Sequence, residues 1–288
     1  MHVDVKRLEC SRRRALGALA STSVTRLEHD VYLDHIRSES RRFRDVLAAC
    51  DPAARVPSCP DWDAADLLWH LTTVQLFWER VVRERPAGPD DDWQEPERPA
   101  SYADLLAAFD AGHAAFVSAL EAADPTEPAW TWSTEQTVGF TYRRQAQECL
   151  VHRLDAELTA GAVTELDPLL AADGVEEALA IMFGGTPEWG RFDPLPHHVR
   201  VDLPDTDTQV WVQLGIFSGT APDGTEYAAE PDIAVVPDPG TDPDAVVEGL
   251  AGDVDAWLWR RRDDTGIHVA GDRGIYDRFR ACVNQPIT

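Results

Sequence analysis

Apolar residues in the first 180 positions recur at the spacing of amphipathic helices, whereas later segments alternate apolar and polar residues. Polar N-cap residues precede most of the helical patterns, and a glycine that can end a helix follows the fourth. The predicted helices cover residues 27–49, 63–81, 101–120, 137–161 and 167–181. The first four are typical of a helical bundle.

The second half predicts a mixed domain. Alternation indicates strands at 198–203, 208–216, 229–236 and 267–270, and helical spacing indicates helices at 243–261 and 273–283. Strands and helices do not alternate strictly, so the fold class is α+β. We expect a helical bundle over 25–185 and a smaller α+β domain over 186–288. Residues 1–24 are interpreted as an uncertain or disordered extension, with a weak twin-arginine export signal as the alternative.

Composition excludes several partners. The 288 residues carry a formal net charge of −25, which argues against nucleic acid and against anionic membrane surfaces. No apolar run approaches the roughly 20 residues of a membrane span. The five cysteines contain no C-x-x-C pair, which predicts neither a disulfide framework nor a cysteine zinc site. We expect a cytoplasmic protein that is a monomer or a small homo-oligomer.

Three residues form a candidate metal site. Glu148 and His152 are four residues apart on the fourth helix, so both side chains project from one face. His70 lies among leucines on the second helix, where a buried imidazole needs a partner. Two imidazoles and one carboxylate suit Zn²⁺ and leave one position open, although nickel, iron or manganese also fit. Asp155 either orients His152 by a hydrogen bond or forms an ordinary salt bridge.

Two motifs around these residues resemble the mycothiol-dependent maleylpyruvate isomerase family, which belongs to the DinB-like superfamily of four-helix bundles. The first motif reads Val56-Pro57-Ser58-Cys59-Pro60-Asp61-Trp62, followed by Asp66-Leu67 and His70-Leu71. The second comprises Gly139-Phe140, Arg144, Glu148 and Val151-His152-Arg153-Leu154-Asp155-Ala156-Glu157. The resemblance implies a bundle that binds metal through His70, Glu148 and His152, followed by the family's smaller C-terminal domain.

The same resemblance implies that an arginine of the C-terminal domain assists catalysis. Arg261 is the best match, although the family pattern reads Gly-Arg where this chain has Arg260-Arg261. Arg144 is a second candidate, either beside the metal ligands or as a contact for a substrate carboxylate. The acidic loop Asp90-Asp91-Asp92 departs from the family.

The resemblance predicts an enzyme that depends on zinc or another divalent metal. Its cosubstrate is a small-molecule thiol such as mycothiol, and its substrate is an electrophile. The reaction is either a cis–trans isomerisation or an S-transfer. Because an acidic surface does not help to bind a dianionic isomerase substrate, S-transfer is favoured at least as much as isomerisation. The alternative is a metal or small-ligand binding protein without catalysis. Among other residues, His113 is interpreted as a polar-face or satisfied core histidine, Cys149 as a buried small side chain, and Cys59 as turn packing.

Overall fold

The computed structural model describes residues 25–89, 93–94 and 96–285. Over these residues the chain forms seven α-helices and a five-stranded mixed sheet. The α+β class predicted from the sequence is therefore confirmed. The predicted extension, residues 1–24, and the acidic loop, residues 90–92, lie outside the described residues.

The four helices of the bundle begin and end within three residues of the predicted bounds. They are α1 (His29–Ala48), α2 (Ala64–Glu84), α3 (Tyr102–Glu121) and α4 (Val138–Ala160). Asp63 and Asp66 form a reciprocal capping box at the start of α2. Ser101 and Thr137 cap α3 and α4. Gly161 ends α4 with φ of 67°, a conformation that glycine adopts without strain.

Within the bundle, α1 packs mainly on α4 and α2 mainly on α3. One buried cluster contains residues from all four helices: Phe43, Val46, Leu47, Val56, Ala64, Leu67, Leu68, Trp69, Leu71, Leu105, Phe109 and Ala156. Helix α4 is buried along most of its length, including its charged positions. Its polar groups must therefore find partners inside the protein, which determines the chemistry described below.

By length and composition, α3 could cross a membrane. Its most apolar 18 residues have a mean hydropathy of 1.2, and 28% of them are buried. A single such helix is weak evidence for a membrane span, because core helices of helical bundles can have the same length and composition. Five residues of α3 are buried: Leu105, Phe109, Gly112, Phe116 and Leu120. The expectation that the protein has no membrane partner stays a prediction.

The second compact unit contains the mixed sheet. Helix α5 (Pro168–Glu177) continues into a π-helical turn (Ala178–Phe183). The strands are β1 (Gly190–Leu203), β2 (Thr208–Thr220), β3 (Glu226–Val236), β4 (Ala245–Glu248) and β5 (His268–Gly271). They are ordered β3-β2-β1-β4-β5, and the β1–β4 pair alone is parallel. Helices α6 (Ala251–Leu258) and α7 (Arg273–Val283) complete the unit.

The prediction of one helix over residues 243–261 is wrong in its first part. Residues Ala245–Glu248 form β4, which pairs with β1 on one side and β5 on the other. A four-residue apolar segment buried in a sheet has no helical or strand period of its own, so spacing cannot identify it. The predicted helix over 273–283 is confirmed.

The two compact units meet between Leu166 and Asp167. The sequence pattern had placed the division after residue 185, at the end of the fifth helix. Helix α5 packs on α6 of the second unit, so its contacts group it with the sheet domain. The short segment Trp132–Thr134 also groups with the second unit.

Candidate metal centre

Helices α2 and α4 bring together the three predicted ligands. The Nε2 atoms of His70 and His152 are 3.1 Å apart, and Glu148 Oε1 is 3.1 Å from His152 Nε2 and 3.5 Å from His70 Nε2. His152 is buried, while His70 and Glu148 are partly buried, with side chains 13% and 20% exposed. Among the described residues this is the one cluster of three or more His, Cys, Asp or Glu side chains spaced for a metal ion.

The spacing of these atoms fits a metal ion. Ligand atoms around a tetrahedral ion with bonds of about 2.0–2.2 Å are about 3.3–3.6 Å apart, close to the observed 3.1–3.5 Å. Each of the three residues can offer one of these atoms as a ligand. Such an arrangement needs a cation or shared protons at its centre. The nitrogen and oxygen donors suit Zn²⁺ and other divalent transition metals.

Asp155 fixes which nitrogen of His152 faces the cluster. His152 Nδ1 lies 2.9 Å from Asp155 Oδ2, and because a carboxylate accepts, the ring donates its Nδ1 proton. The Nε2 lone pair of the neutral ring then points to His70 and Glu148. The other carboxylate oxygen, Asp155 Oδ1, accepts a 2.5 Å hydrogen bond from Ser58 Oγ. The surface salt bridge that was the alternative for Asp155 does not fit a side chain with 0% exposure.

Burial and hydrogen bonds shift the pKa values of all three cluster residues. Burial alone would lower the pKa of His152, but hydrogen bonds to Asp155 and Glu148 outweigh it and raise that pKa to about 9. Burial lowers the pKa of His70. Burial would raise the pKa of Glu148, but its hydrogen bonds to the two histidines hold that pKa well below the usual value. The cluster therefore favours an anionic Glu148 beside a bound positive charge.

Arg144 lies one turn before Glu148 on α4, and its Nη2 donates a 3.0 Å hydrogen bond to Glu148 Oε2. The two oxygens of Glu148 thus have different roles, since Oε2 faces the guanidinium and Oε1 faces the histidines. The Arg144 side chain is 4% exposed. This contact supports the predicted place of Arg144 beside the ligands.

Arg261 belongs to the second unit and follows α6. Its backbone N–H donates to Ala256 O at 2.7 Å, and its Nη1 donates to Trp259 O at 2.8 Å. These local contacts describe its position after the helix. The catalytic role that the family resemblance implies for Arg261 stays a prediction.

Cys149 is buried in the bundle core, as predicted, and His113 is partly buried with a polar partner. A chain of polar contacts joins all four helices: His113 Nδ1 is 3.1 Å from Gln75 Oε1, and Gln75 Nε2 donates to Ser40 Oγ at 3.0 Å and to Cys149 Sγ at 3.4 Å. Ser40 Oγ is itself 3.3 Å from Cys149 Sγ. Burial raises the pKa of Cys149 to about 12, so this thiol is not reactive near neutral pH.

Sequence reasoning did not predict the contacts of Ser58 with Asp155 or of Trp62 with His70. Both belong to the turn before α2, and the Trp62 ring packs on His70 with centroids 4.8 Å apart. Each contact joins groups from different helices or loops. The signal available in the sequence was the position of both residues in the first family-like motif, next to His70.

Comparison with known proteins identifies the family of the chain. The family model "Mycothiol maleylpyruvate isomerase N-terminal domain" matches residues 33–157, and the "MDMPI C-terminal domain" matches residues 170–278. The boundary between the two compact units falls between the two matches. No protein of curated function matches the chain.

Two crystal structures share the fold. That of the mycothiol-dependent maleylpyruvate isomerase aligns with a TM-score of 0.56 and 13% identity, over 85% of this chain and 93% of that chain. A histidine-to-alanine mutant of that isomerase aligns over the same shares, with a TM-score of 0.57 and 12% identity. At this identity the alignments establish the fold alone.

Proposed function

The chain belongs to the mycothiol-dependent maleylpyruvate isomerase family, and from this premise we propose that it is a metal-dependent, thiol-using isomerase. The observation that carries the proposal is the cluster of His70 Nε2, Glu148 Oε1 and His152 Nε2 within 3.1–3.5 Å of one another. Zinc is the proposed metal, and mycothiol or a similar thiol is the proposed cosubstrate.

His70, Glu148 and His152 would hold the ion, and three protein ligands leave a position open. The bound ion supplies the chemistry that lowers the pKa of a thiol, so that thiolate is available at neutral pH. The protein's own residues prepare this position. Asp155 holds His152 in the tautomer that offers Nε2, and Arg144 holds the far oxygen of Glu148.

In the proposed reaction the nucleophile belongs to the cosubstrate. The thiolate adds to the activated double bond of a cis-dicarbonyl acid, and the electron pair of that bond moves onto the adjacent carbonyl. The new single bond rotates, and elimination expels the thiolate and restores a trans alkene. The reaction has no net change in atoms or electrons, and the thiol is regenerated.

S-transfer to an electrophile is the second candidate function. The observation that favours it is the net charge of −25, which disfavours capture of a dianionic acid unless arginines bind its carboxylates. We propose Arg261 for this contact in the isomerase, with Arg144 available only if it can leave Glu148. An electrophile without carboxylates would need neither arginine.

The test is an activity assay of zinc-loaded and metal-stripped protein with mycothiol and maleylpyruvate. We expect conversion of the cis to the trans acid that requires both zinc and thiol, without consumption of thiol. Consumption of thiol with an electrophile, and no isomerisation, would support S-transfer instead. Zinc binding with neither reaction would favour a binding protein without catalysis.

A further inference from the structure

We propose that the turn Val56–Trp62 positions both histidines of the metal centre. Ser58 would orient His152 through Asp155, and Trp62 would orient His70 directly. The inference rests on the proposed metal-dependent function, and it assigns a role to residues that do not themselves contact the ion.

The turn is closed by its own backbone hydrogen bonds. Val56 N–H donates to Trp62 O at 3.1 Å, Cys59 N–H to Val56 O at 3.1 Å, and Trp62 N–H to Cys59 O at 2.8 Å. Asp63, the next residue, begins the capping box of α2. The turn is therefore fixed relative to the helix that carries His70, one and a half to two helical turns farther along the chain.

The first arm of the turn acts on His152. Ser58 Oγ donates to Asp155 Oδ1, and Asp155 Oδ2 accepts from His152 Nδ1. Because each oxygen of the carboxylate is engaged in a different direction, its plane cannot rotate without breaking one contact. Asp155 is 0% exposed, so bulk water cannot replace the serine hydroxyl. The orientation of the imidazole thus depends on a loop residue 97 positions away from Asp155.

The second arm acts on His70. The Trp62 ring lies with its centroid 4.8 Å from that of His70 at an interplanar angle of 44°. The His152 ring lies 4.7 Å from His70 at 73°. The His70 ring therefore contacts both a ring of the turn and the second imidazole. Removing the indole would allow His70 to rotate away from the shared metal position.

A purely structural turn would predict a different outcome from a positioning turn. Loss of a packing contact or cap lowers the unfolding temperature of the metal-free protein but leaves metal affinity unchanged. Loss of ligand orientation weakens metal binding. Removal of a group that holds a metal ligand in place typically lowers metal affinity by about 10–100-fold. Metal affinity, measured in the folded protein, separates the two roles.

The experiment measures zinc affinity by competition with a chromophoric chelator, using wild type, Ser58→Ala and Trp62→Leu. Ser58→Thr and Trp62→Phe are the conservative variants, since they keep a hydroxyl and an aromatic ring. Ser101→Ala is the matched control: it removes a serine hydroxyl that caps α3 in the same bundle, away from the cluster. The unfolding temperature of each metal-free variant is measured in parallel.

We expect Ser58→Ala and Trp62→Leu each to weaken zinc binding by about tenfold, while Ser58→Thr and Trp62→Phe recover most of it. Ser101→Ala should lower the unfolding temperature and leave zinc affinity at the wild-type value. With Co²⁺ in place of zinc, the visible absorption bands of the two weakened variants should shift, because those bands depend on ligand geometry. If either Ser58→Ala or Trp62→Leu does not fold, the zinc affinity of the other variant tests the inference. The Co²⁺ spectrum of the conservative variant at the affected position, Ser58→Thr or Trp62→Phe, then replaces the missing measurement.

Unchanged zinc affinity and unchanged Co²⁺ spectra in both folded variants would overturn the inference while leaving the metal site and the proposed function intact. A wild-type protein that binds neither zinc nor Co²⁺ would overturn the proposed function, and this inference with it.

Discussion

Arg153 and Glu157 form a buried ion pair on α4, with Arg153 Nη1 2.9 Å from Glu157 Oε2. Their side chains are 4% and 0% exposed. Each has further partners, since Arg153 Nε donates to Glu39 Oε2 at 2.7 Å and Thr164 N–H donates to Glu157 Oε2 at 2.8 Å. The pair joins α4 to α1 and to the segment after α4. Arg153 follows His152 directly in the sequence. The ion pair therefore stabilises the helix that carries two of the predicted metal ligands, Glu148 and His152.

Replacement of Glu157 by Gln should destabilise the bundle by about 3 kcal/mol, because it leaves the buried guanidinium of Arg153 without its charged partner on α4. Urea unfolding of the metal-free protein measures the change. Glu121→Gln is the control, since Glu121 pairs with Arg37 at a half-exposed position and should change stability by less than about 1 kcal/mol. Equal effects of the two substitutions would contradict this account of the buried pair.

The same carboxylate predicts a dependence of stability on pH. Burial would raise the pKa of Glu157, but hydrogen bonds from Thr164 and Arg42 and the charge of Arg153 outweigh it, and the pKa is lowered in the folded state. The stabilisation is therefore fully present above the unfolded pKa of about 4.3 and is lost as pH falls through the lower folded value. The difference in unfolding free energy between wild type and Glu157→Gln should shrink as pH falls below about 4.3, and a constant difference would refute the assignment.

The polar contacts around Gln75 predict that its amide group contributes more to the free energy of unfolding than the volume of its side chain. Gln75→Leu removes the amide that donates to Ser40 and Cys149 and accepts from His113, so each of these polar groups loses a hydrogen bond inside the bundle. We expect a loss of about 2–4 kcal/mol in unfolding free energy. Gln209→Leu, at an exposed position of β2, is the control and should change stability by less than about 1 kcal/mol. Zinc affinity should fall little in either variant.

Arg144 offers a test of its role beside the metal ligands. Arg144→Gln removes the positive charge that contacts Glu148 Oε2, so Glu148 becomes freer to rotate. We expect zinc affinity to fall by about tenfold. The measurement is chelator competition, with Arg80→Gln as a control because Arg80 pairs with Glu84 at a partly exposed position of α2. If Arg144→Gln changes only the apparent KM for a dicarboxylate substrate and not zinc affinity, Arg144 is a substrate contact instead.

The sequence predicted the bundle well because its helices carry strong local signals. Asp63, Ser101 and Asp167 cap helices in the structure as predicted, and Thr137, near which the fourth helix was predicted to start, caps that helix. The segment Ala245–Glu248 lacked such a signal, since its strand character comes from pairing with β1 and β5. Similarly, β1 begins at Gly190, before the predicted start at 198, because a register shift between Pro194 and His198 disrupts the alternation.

The metal cluster was predictable only in part. The four-residue spacing of Glu148 and His152 predicts that their side chains lie close together. The resemblance of the two motifs to the family implies His70 as the third ligand. The contacts of Ser58 with Asp155, Trp62 with His70 and Gln75 with Cys149 join residues from separate elements. No local pattern contains that information, because it depends on how the helices pack. All three contacts are visible only in three dimensions.

The most direct test of the account is the metal content of the protein purified without chelator, compared with His152→Ala and with the control His113→Ala. His113 is a partly buried histidine of the same bundle that contacts Gln75 and lies outside the cluster. The account predicts about one equivalent of divalent metal, zinc by our proposal, in wild type and in His113→Ala, and little in His152→Ala. Absence of metal from wild type even after reconstitution, or equal metal in all three proteins, would contradict it.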